Sequence, residues 1–522
     1  MSYFLNNVDN ENEFLYITKN KYFVDKTKLL EKFNKIMDEH KNRFVCITRP
    51  RRFGKSINAA MLASYYTKNL DTKNVFDKLN ISKCDSYEKH LNKHNVIYMS
   101  LNDQNVQLKT YDKYRDFFID GLVKDLKDIC PEINESDPIS QIFSDAYQKT
   151  GQGFIFIIDE WDYIFNRNMY TKEDRINLLD FIQSLLKDKP YVEFAYMTGI
   201  LPIAKYFSGS FCNMFMEYNT LNDRFYDHYF GFTQNEVEAL CDKQNNISLE
   251  DLQEWYNGYY THDDVPLYNP RSVVFALTNG YCDNYWTSTA PMKVILDFIK
   301  DNTDNIQEDI IRLVSGESIG ITLKGYQKDD DGTELRDRNS ILSALAIYGN
   351  LSYHDKVISI PNKEIKQIFE EALISKSLGN VSKITDMWRD MIYATINEDT
   401  ETMSKIIQDA HDIYIPLMKY NNEDSLATVV LLVYLGASES YLIEREMRGG
   451  EGYADFVFIP NNKSDTSFIL ELKVNSTPEE AIAQIKNTKY MHALRNCTGK
   501  KLAVGIAYNK KDKQHSVKIE RI

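Results

Sequence analysis

Phe44-Val45-Cys46-Ile47-Thr48-Arg49-Pro50-Arg51-Arg52-Phe53-Gly54-Lys55-Ser56 sets a short apolar run directly before a Gly-Lys-Ser triplet. Residues 44–48 carry no Gly or Pro and read as a buried strand. Gly-Lys-Ser after such a strand is the core of a phosphate-binding loop. Backbone N–H groups at a helix N-terminus, aided by the helix dipole, make a ready anion site there. Gly54 lets the backbone approach the phosphate where a side chain would clash. Lys55 is placed to reach the β- and γ-phosphates, and the Ser56 hydroxyl to coordinate magnesium. One residue departs from the usual G-x-x-x-x-G-K-[ST] spacing, because Arg49 stands where the first glycine would fall. Arg49, Arg51 and Arg52 leave three roles open: contact with phosphate, pairing with acidic residues across a cleft, or contact with nucleic acid.

Working outward, Phe154-Ile155-Phe156-Ile157-Ile158-Asp159-Glu160 reads as a second buried strand. It delivers two carboxylates at its C-terminal end, the edge where α/β sheets bind ligands. Asp159 is expected to hold magnesium and Glu160 to orient and polarise the attacking water. The same pair would also suit a plain strand end that caps the next helix. A third run, 192–198, ends Met197-Thr198-Gly199, so Thr198 is a candidate γ-phosphate sensor or an ordinary strand end. With a further strand at 95–101 and helical patterns at 56–67, 111–128 and 173–187, the first 235 residues predict an α/β domain. Its parallel sheet is covered on both faces.

The 522 residues are too many for a single core, and 43% hydrophobic with 26% charged is ordinary for a globular chain. Twenty-one glycines and 12 prolines argue against long disordered linkers. The formal charge of −14 excludes a generally basic nucleic-acid binder but not a local basic groove. Seven cysteines without C-x-x-C spacing suit buried thiols in a reducing compartment. Neither a secretory signal nor an apolar stretch of the roughly 20 residues that span a bilayer is visible. The expectation is an intracellular protein, cytoplasmic or nuclear, with no membrane partner.

Residues 236–415 predict a mainly helical middle region. Within it, helix 339–348, a hairpin through Leu351-Ser352-Tyr353 and Val357-Ile358-Ser359-Ile360, and helix 363–374 match either a winged-helix fragment or a hairpin packed on helices. From 416 the pattern changes to a helix at 423–436, strands at 441–447, 453–459 and 467–474, a helix at 478–493 and a strand at 501–508. Asp455 falls on the second of these strands and Phe468-Ile469-Leu470-Glu471-Leu472-Lys473-Val474 on the third. Alternation on a strand places Glu471 and Lys473 on one face. If the two strands pair, Asp455 lies beside Glu471, and two carboxylates so close favour a shared cation such as Mg2+. Lys473 would then position the attacking water or stabilise developing charge. Glu-x-Lys on a strand equally makes a simple ion pair on a wet face. Glu423 and Glu446 could add ligands, while Gln484, Lys486 and Tyr490 on the following helix could reach the site or a phosphate backbone. Lys486, Lys489, Arg495, Lys500 and Lys501 could supply a basic groove.

Phe23-Val24-Asp25-Lys26-Thr27, the 48–56 loop, Ile158-Asp159-Glu160-Trp161-Asp162, Thr198-Gly199, Trp255-Tyr256-Asn257-Gly258-Tyr259 and Tyr268-Asn269-Pro270-Arg271-Ser272 resemble the AAA-ATPase-like family. Asp455, Glu471-Leu472-Lys473 and Gln484 resemble the PD-(D/E)XK nuclease superfamily. The first resemblance implies a P-loop domain over 15–235 that holds ATP through Arg52, Phe53, Gly54, Lys55, Ser56, Asp159 and Thr198. It also makes the arginine-rich loop, Arg49 included, a family form. The second implies a restriction-endonuclease-like α/β domain over 416–522, with Asp455, Glu471, Lys473 and Gln484 catalytic and Asp455 and Glu471 on the metal. Together they imply an ATPase coupled to a Mg2+-dependent nuclease acting on DNA or RNA. The alternative is a nucleotide-dependent interaction switch whose nuclease-like domain does not cut. Oligomerisation is left open by the sequence.

Overall fold

The computed structural model describes residues 3–102, 110–167, 169–203, 214–286, 299, 306–322, 337–374, 380–414, 423–449, 452–487 and 494–522. Contacts divide the chain into two compact units: residues 1–287 with 321–364, and 288–320 with 365–522. The stretch read from sequence as one helical middle region is therefore shared between them.

The first unit is built on a five-stranded sheet of β1 (Phe44–Thr48), β2 (Asn95–Ser100), β3 (Phe154–Asp159), β4 (Val192–Gly199) and β5 (Met216–Tyr218). The spatial order is β2-β3-β4-β1-β5, and every pairing is parallel. All six residues of β3 are buried, as expected of a strand covered on both faces. The register aligns Thr48 with Gly199, Ile158 with Met197 and Ser100 with Asp159, so these strands end level at one edge. The helix Lys55–Tyr66 follows β1 and is buried along almost its whole length. Its N-cap, Gly54, has φ +87, a left-handed backbone that suits glycine. One face of the sheet is packed with aromatics: the Phe33 ring lies 5.1 Å from Phe194, 5.7 Å from Tyr196 and 5.5 Å from Tyr226. Each such buried ring contributes about 1.5–3 kcal/mol.

A small antiparallel sheet follows, with β6 (Phe232–Thr233), β7 (Tyr259–Tyr260) and β8 (Pro266–Tyr268) in the order β6-β8-β7. Tyr268-Asn269-Pro270-Arg271-Ser272 is a helix start: Asn269 Oδ1 accepts the N–H groups of Arg271 at 3.0 Å and Ser272 at 3.2 Å, and Pro270 opens the helix Pro270–Asn279. The helix, hairpin, helix order read over 339–374 is found as Arg338–Tyr348, Ser352–His354 with Val357–Ser359, and Lys363–Ile374.

The second unit holds a mixed sheet of β9 (Tyr441–Gly449), β10 (Gly452–Pro460), β11 (Ser467–Val474), β12 (Lys501–Asn509) and β13 (Gln514–Arg521), ordered as numbered. Only β11 and β12 are parallel, joined through the helix Pro478–Asn487. Ala454, Val457, Ile469, Ile482, Ile485 and Ala503 form its core between sheet and helix. The strands of the small sheet, the short strand Ile319–Gly320, and in the two large sheets β5 and β13, fall outside the sequence reading. β5 is a three-residue edge strand, Met-Glu-Tyr, too short to show a pattern. β13 is an edge strand whose polar and charged residues hide its alternation. No helix among the described residues is long and apolar enough to cross a membrane.

Candidate functional site

The level strand ends of the first unit gather Lys55, Ser56, Asp159 and Glu160. Lys55 is buried, and its Nζ donates to the carbonyls of Arg49 at 3.0 Å and Pro50 at 2.8 Å. Burial pushes this ammonium down to about 8, against the pull of Asp162, Asp159 and Glu160. Asp159 is buried, accepts the Glu160 N–H at 2.9 Å and takes a hydrogen bond from the Ser56 hydroxyl. Burial raises the carboxyls of Asp159 and Glu160, and in Glu160 the Asp159 charge adds to it. A cation would relieve both penalties. Glu160 is half-buried and turns the chain off β3 with a left-handed backbone (φ +51), uncommon for a residue with a side chain.

Trp161 and Asp162 then fold back beneath β4. The Trp161 N–H donates to the Thr198 carbonyl at 3.1 Å, and Asp162 Oδ2 accepts the N–H groups of Ile200 and Leu201 at 3.2 and 3.0 Å. Gly199 permits this approach, because a Cβ there would lie 2.5 Å from Asp162 Oδ1 and 2.6 Å from Trp161 Cδ1. Thr198 is fully buried, and its hydroxyl donates to the Ile47 carbonyl at 2.8 Å, tying β4 to β1.

The arginines separate into distinct roles. Arg49 is buried and forms an ion pair with Asp223, donates to the carbonyls of Thr48 and Tyr218 at 2.8 and 3.2 Å, and lies 4.9 Å from the Phe230 ring. It clamps the root of the loop. Arg52 has φ +69 and donates to the Tyr285 carbonyl; burial and the neighbouring Arg271 lower its pKa. The Phe53 ring is buried edge-on to Tyr259 at 5.0 Å, so what Phe53 can offer a ligand is backbone. Gly54 presents the helix N-terminus.

In the second unit, β10 and β11 pair antiparallel with Phe456 opposite Leu470, one step from Asp455 and Glu471. Asp455 Oδ2 accepts the Leu472 N–H at 2.7 Å. Glu471 is 2% exposed; its Oε1 accepts Lys473 Nζ at 3.0 Å, and its Oε2 is buried and meets no donor among the described residues. Burial, then the Asp455 charge, pushes Glu471 up to about 7. A buried, unmatched carboxylate oxygen beside a second carboxylate fits a divalent cation. Gln484 lies half-buried on the helix Pro478–Asn487. Lys489 and Tyr490, like the side chains of Glu423 and Glu446, lie outside the described residues. Of the expected basic groove, Lys486 is paired with Glu520 and Lys500 with Glu398, so their charge is shared with carboxylates.

Residues 12–207 match the model of the predicted AAA-ATPase family, and residues 421–518 match that of the PD-(D/E)XK nuclease superfamily. Residues 12–207 are thus an AAA-ATPase-like region of this chain, and residues 421–518 a PD-(D/E)XK nuclease-superfamily region. An uncharacterized protein in the vnfD 5' region of Azotobacter chroococcum mcd 1 is 21% identical over 405 residues, which is 72% of this chain and 71% of that one. Among solved structures, the Walker-type ATPase paby2304 of Pyrococcus abyssi is 12% identical, covering 65% of this chain and 95% of its own, with a TM-score of 0.30. The Aeropyrum pernix ORC2 protein is 10% identical, covering 66% and 94%, with a TM-score of 0.31.

Four residues of the AAA-ATPase-like domain's surroundings were not assigned from sequence. Asp162 stood in a quoted motif without a role. Asp223 and Glu13 have no motif around them, yet Asp223 neutralises Arg49, and Glu13 is close enough to Asp159 for the two charges to raise Glu13's carboxyl further after burial. Glu364 is fully buried, accepts the Ser272 hydroxyl at 2.9 Å on both oxygens and the Tyr285 N–H at 2.7 Å, and is pushed up to about 7 by burial. Ser272 and the Arg52 contact Tyr285 thus meet at one carboxylate, which joins the family's downstream motif to its loop.

Proposed function

We propose that the AAA-ATPase-like domain binds and hydrolyses ATP with Mg2+, and that this nucleotide cycle controls a Mg2+-dependent nuclease activity of the PD-(D/E)XK domain on DNA or RNA. The observation that carries the first half is the convergence of Lys55, Ser56, Asp159 and Glu160 at one sheet edge. Lys55, now on loop carbonyls, would transfer to phosphate oxygens, to which a charged donor binds more strongly. Ser56 and Asp159 would hold the ion in the ATPase site, and Asp455 and Glu471 in the other. At both sites its contribution, when bound, is charge neutralisation on phosphate oxygens. Glu160, raised by burial and held at a strained turn, would orient the attacking water. Lys473 would stabilise charge developing on the cleaved phosphate. Thr198, buried with its hydroxyl committed to the Ile47 carbonyl, takes the strand-end role that ties β4 to β1 instead of sensing the γ-phosphate, and Gln484 would contact the scissile strand.

Phosphate release from ATP, measured for wild type, Lys55→Ala and Glu160→Gln, tests the first half: activity retained in either variant sinks it. Cleavage of plasmid and single-stranded DNA and of RNA with Mg2+, compared with Glu471→Ala and Lys473→Ala, tests the second. Equal cutting by all three removes the nuclease assignment. Hydrolysis without cutting would select the interaction-switch reading, which the paired Lys486 and Lys500 favour.

A further inference from the structure

Away from both sites, the turn Asp227–Tyr229 faces the loop between β7 and β8, and two histidines and two aspartates converge there. His262 Nδ1 lies 2.8 Å from Asp227 Oδ2, and His228 Nε2 lies 3.0 Å from Asp263 Oδ1. The cross distances are 4.0 Å from His228 Nε2 to Asp227 Oδ1 and 3.9 Å from His262 Nδ1 to Asp263 Oδ1. Four ligands about 2.0–2.2 Å from a central Zn2+ define a tetrahedron with edges of roughly 3.3–3.6 Å. Asp227, His228 and His262 each offer one ligand atom within 4.8 Å of the others, so short side-chain shifts would bring all three onto one ion, with a fourth position left for solvent.

The carboxylates are set in place independently of any imidazole. Asp227 is buried, and its oxygens accept the backbone N–H groups of His228 at 2.9 Å and His262 at 2.8 Å. Asp263 Oδ1 accepts the Thr261 hydroxyl at 2.6 Å, and the His228 carbonyl accepts Lys26 Nζ at 2.8 Å. Such outer contacts orient metal ligands and hold them ready. Two neutral imidazoles and two carboxylates carry a charge of −2, which one divalent ion balances. Imidazole nitrogens favour Zn2+ over the harder Mg2+.

We propose that Asp227, His228 and His262 form a divalent transition-metal site, with Zn2+ its representative ion and Asp263 orienting His228, separate from the two sites proposed above to hold Mg2+. The site joins the 227–229 turn to the β7–β8 loop, four residues from Asp223, the partner of Arg49. A metal there would brace the segment that holds the root of the phosphate loop. The side chains of His228, His262 and Asp263 are partly exposed, so the ion would exchange with solvent.

The test uses full-length protein stripped with EDTA, in excess Mg2+ to occupy the oxygen-rich sites, titrated with ZnCl2 against a chromophoric chelator. The wild type is expected to hold one equivalent of Zn2+ that His228→Ala/His262→Ala loses, with affinity reduced by at least about 100-fold, since outer contacts alone cost 10–100-fold. Co2+ in the same site should give the strong visible bands of a tetrahedral centre, absent in the double variant. Should the double variant fail to fold, Asp263→Asn keeps the side-chain shape and should weaken binding with an unchanged metal-free melting temperature. Equal stoichiometry and affinity in wild type and variants, or no Zn2+ bound by wild type at micromolar concentration, overturns the proposal.

Discussion

Replacing Arg49 by Met removes a guanidinium that is 4% exposed from an aspartate that is 1% exposed. Breaking one side of a buried ion pair costs about 3–5 kcal/mol, because the other charge is left buried alone. Asp223 keeps part of its satisfaction: its other oxygen still accepts the N–H groups of Phe225 at 2.8 Å and Tyr226 at 3.0 Å. The expected loss is therefore near the lower end, about 3 kcal/mol, or roughly a 150-fold shift in the folding equilibrium. For a unit of residues 1–287 with 321–364, at about 2.1 cal/mol/K of unfolding entropy per residue, that corresponds to a fall in Tm of about 4 °C. Urea denaturation and calorimetry of the full chain read this directly. Adding Asp223→Leu should recover most of the loss, since apolar pairs often replace buried ion pairs without penalty. ATP affinity, measured below the melting range, should change less than about threefold if Arg49 clamps the loop and does not touch phosphate. A loss of less than about 1 kcal/mol in Arg49→Met, no recovery in the double variant, or a drop in ATP affinity of a hundredfold at unchanged stability would each refute the clamp.

Because the Lys55 ammonium loses its proton as pH rises through about 8, ATP affinity measured by fluorescence anisotropy should fall about tenfold between pH of about 7.5 and about 9. A flat profile over that range argues against a phosphate contact by Lys55. Glu471 is pushed up to about 7, so its ionised form weighs against folding above that pH and not below its usual range. Glu471→Gln should thus raise stability by about 2–3 kcal/mol at pH of about 8, a gain that disappears by pH of about 4, while any metal-dependent cutting is lost. Gly199→Ala, which drives a methyl to 2.5 Å from Asp162 Oδ1, should cost about 1–3 kcal/mol and slow ATP hydrolysis, checked by thermal melts and phosphate release.

What could be read from sequence was whatever the chain writes locally. β1 to β4 announce themselves because each is a compact apolar run, and β3 is legible with its carboxylates because burial on both faces leaves no polar residue until Asp159. Lys55, Ser56, Asp159 and Glu160 could be named as candidates because each follows or ends one of these apolar runs in a known motif. β5 did not, since Met216-Glu217-Tyr218 belongs to the sheet only through its pairing with β1. Asp223, Glu364 and Glu13 escaped for a related reason: their partners are Arg49, Ser272 and the Asp159 corner, far along the chain, and nothing near them in sequence records the pairing. The direction of the arginines was equally illegible, because three identical guanidiniums in four positions can be sorted only by what surrounds each one.

The strand between the two halves of the ATPase site has a mechanical consequence. β4 separates β1 from β3, so the backbones of those two strands lie two strand spacings apart, roughly 10 Å, and the Ser56–Asp159 hydrogen bond closes the gap through side chains. Both strand exits are fastened to the tip of β4: Gly199 O receives the Arg49 N–H at 3.1 Å, and Thr198 O receives the Trp161 N–H at 3.1 Å. The end of that strand therefore works as a crossbeam. Any load that tilts it changes the span between Lys55, proposed to grip the nucleotide, and Glu160, proposed to aim the water, so on that proposal force reaching β4 from elsewhere in the domain would be read out as a change in turnover before it was read out as a change in affinity.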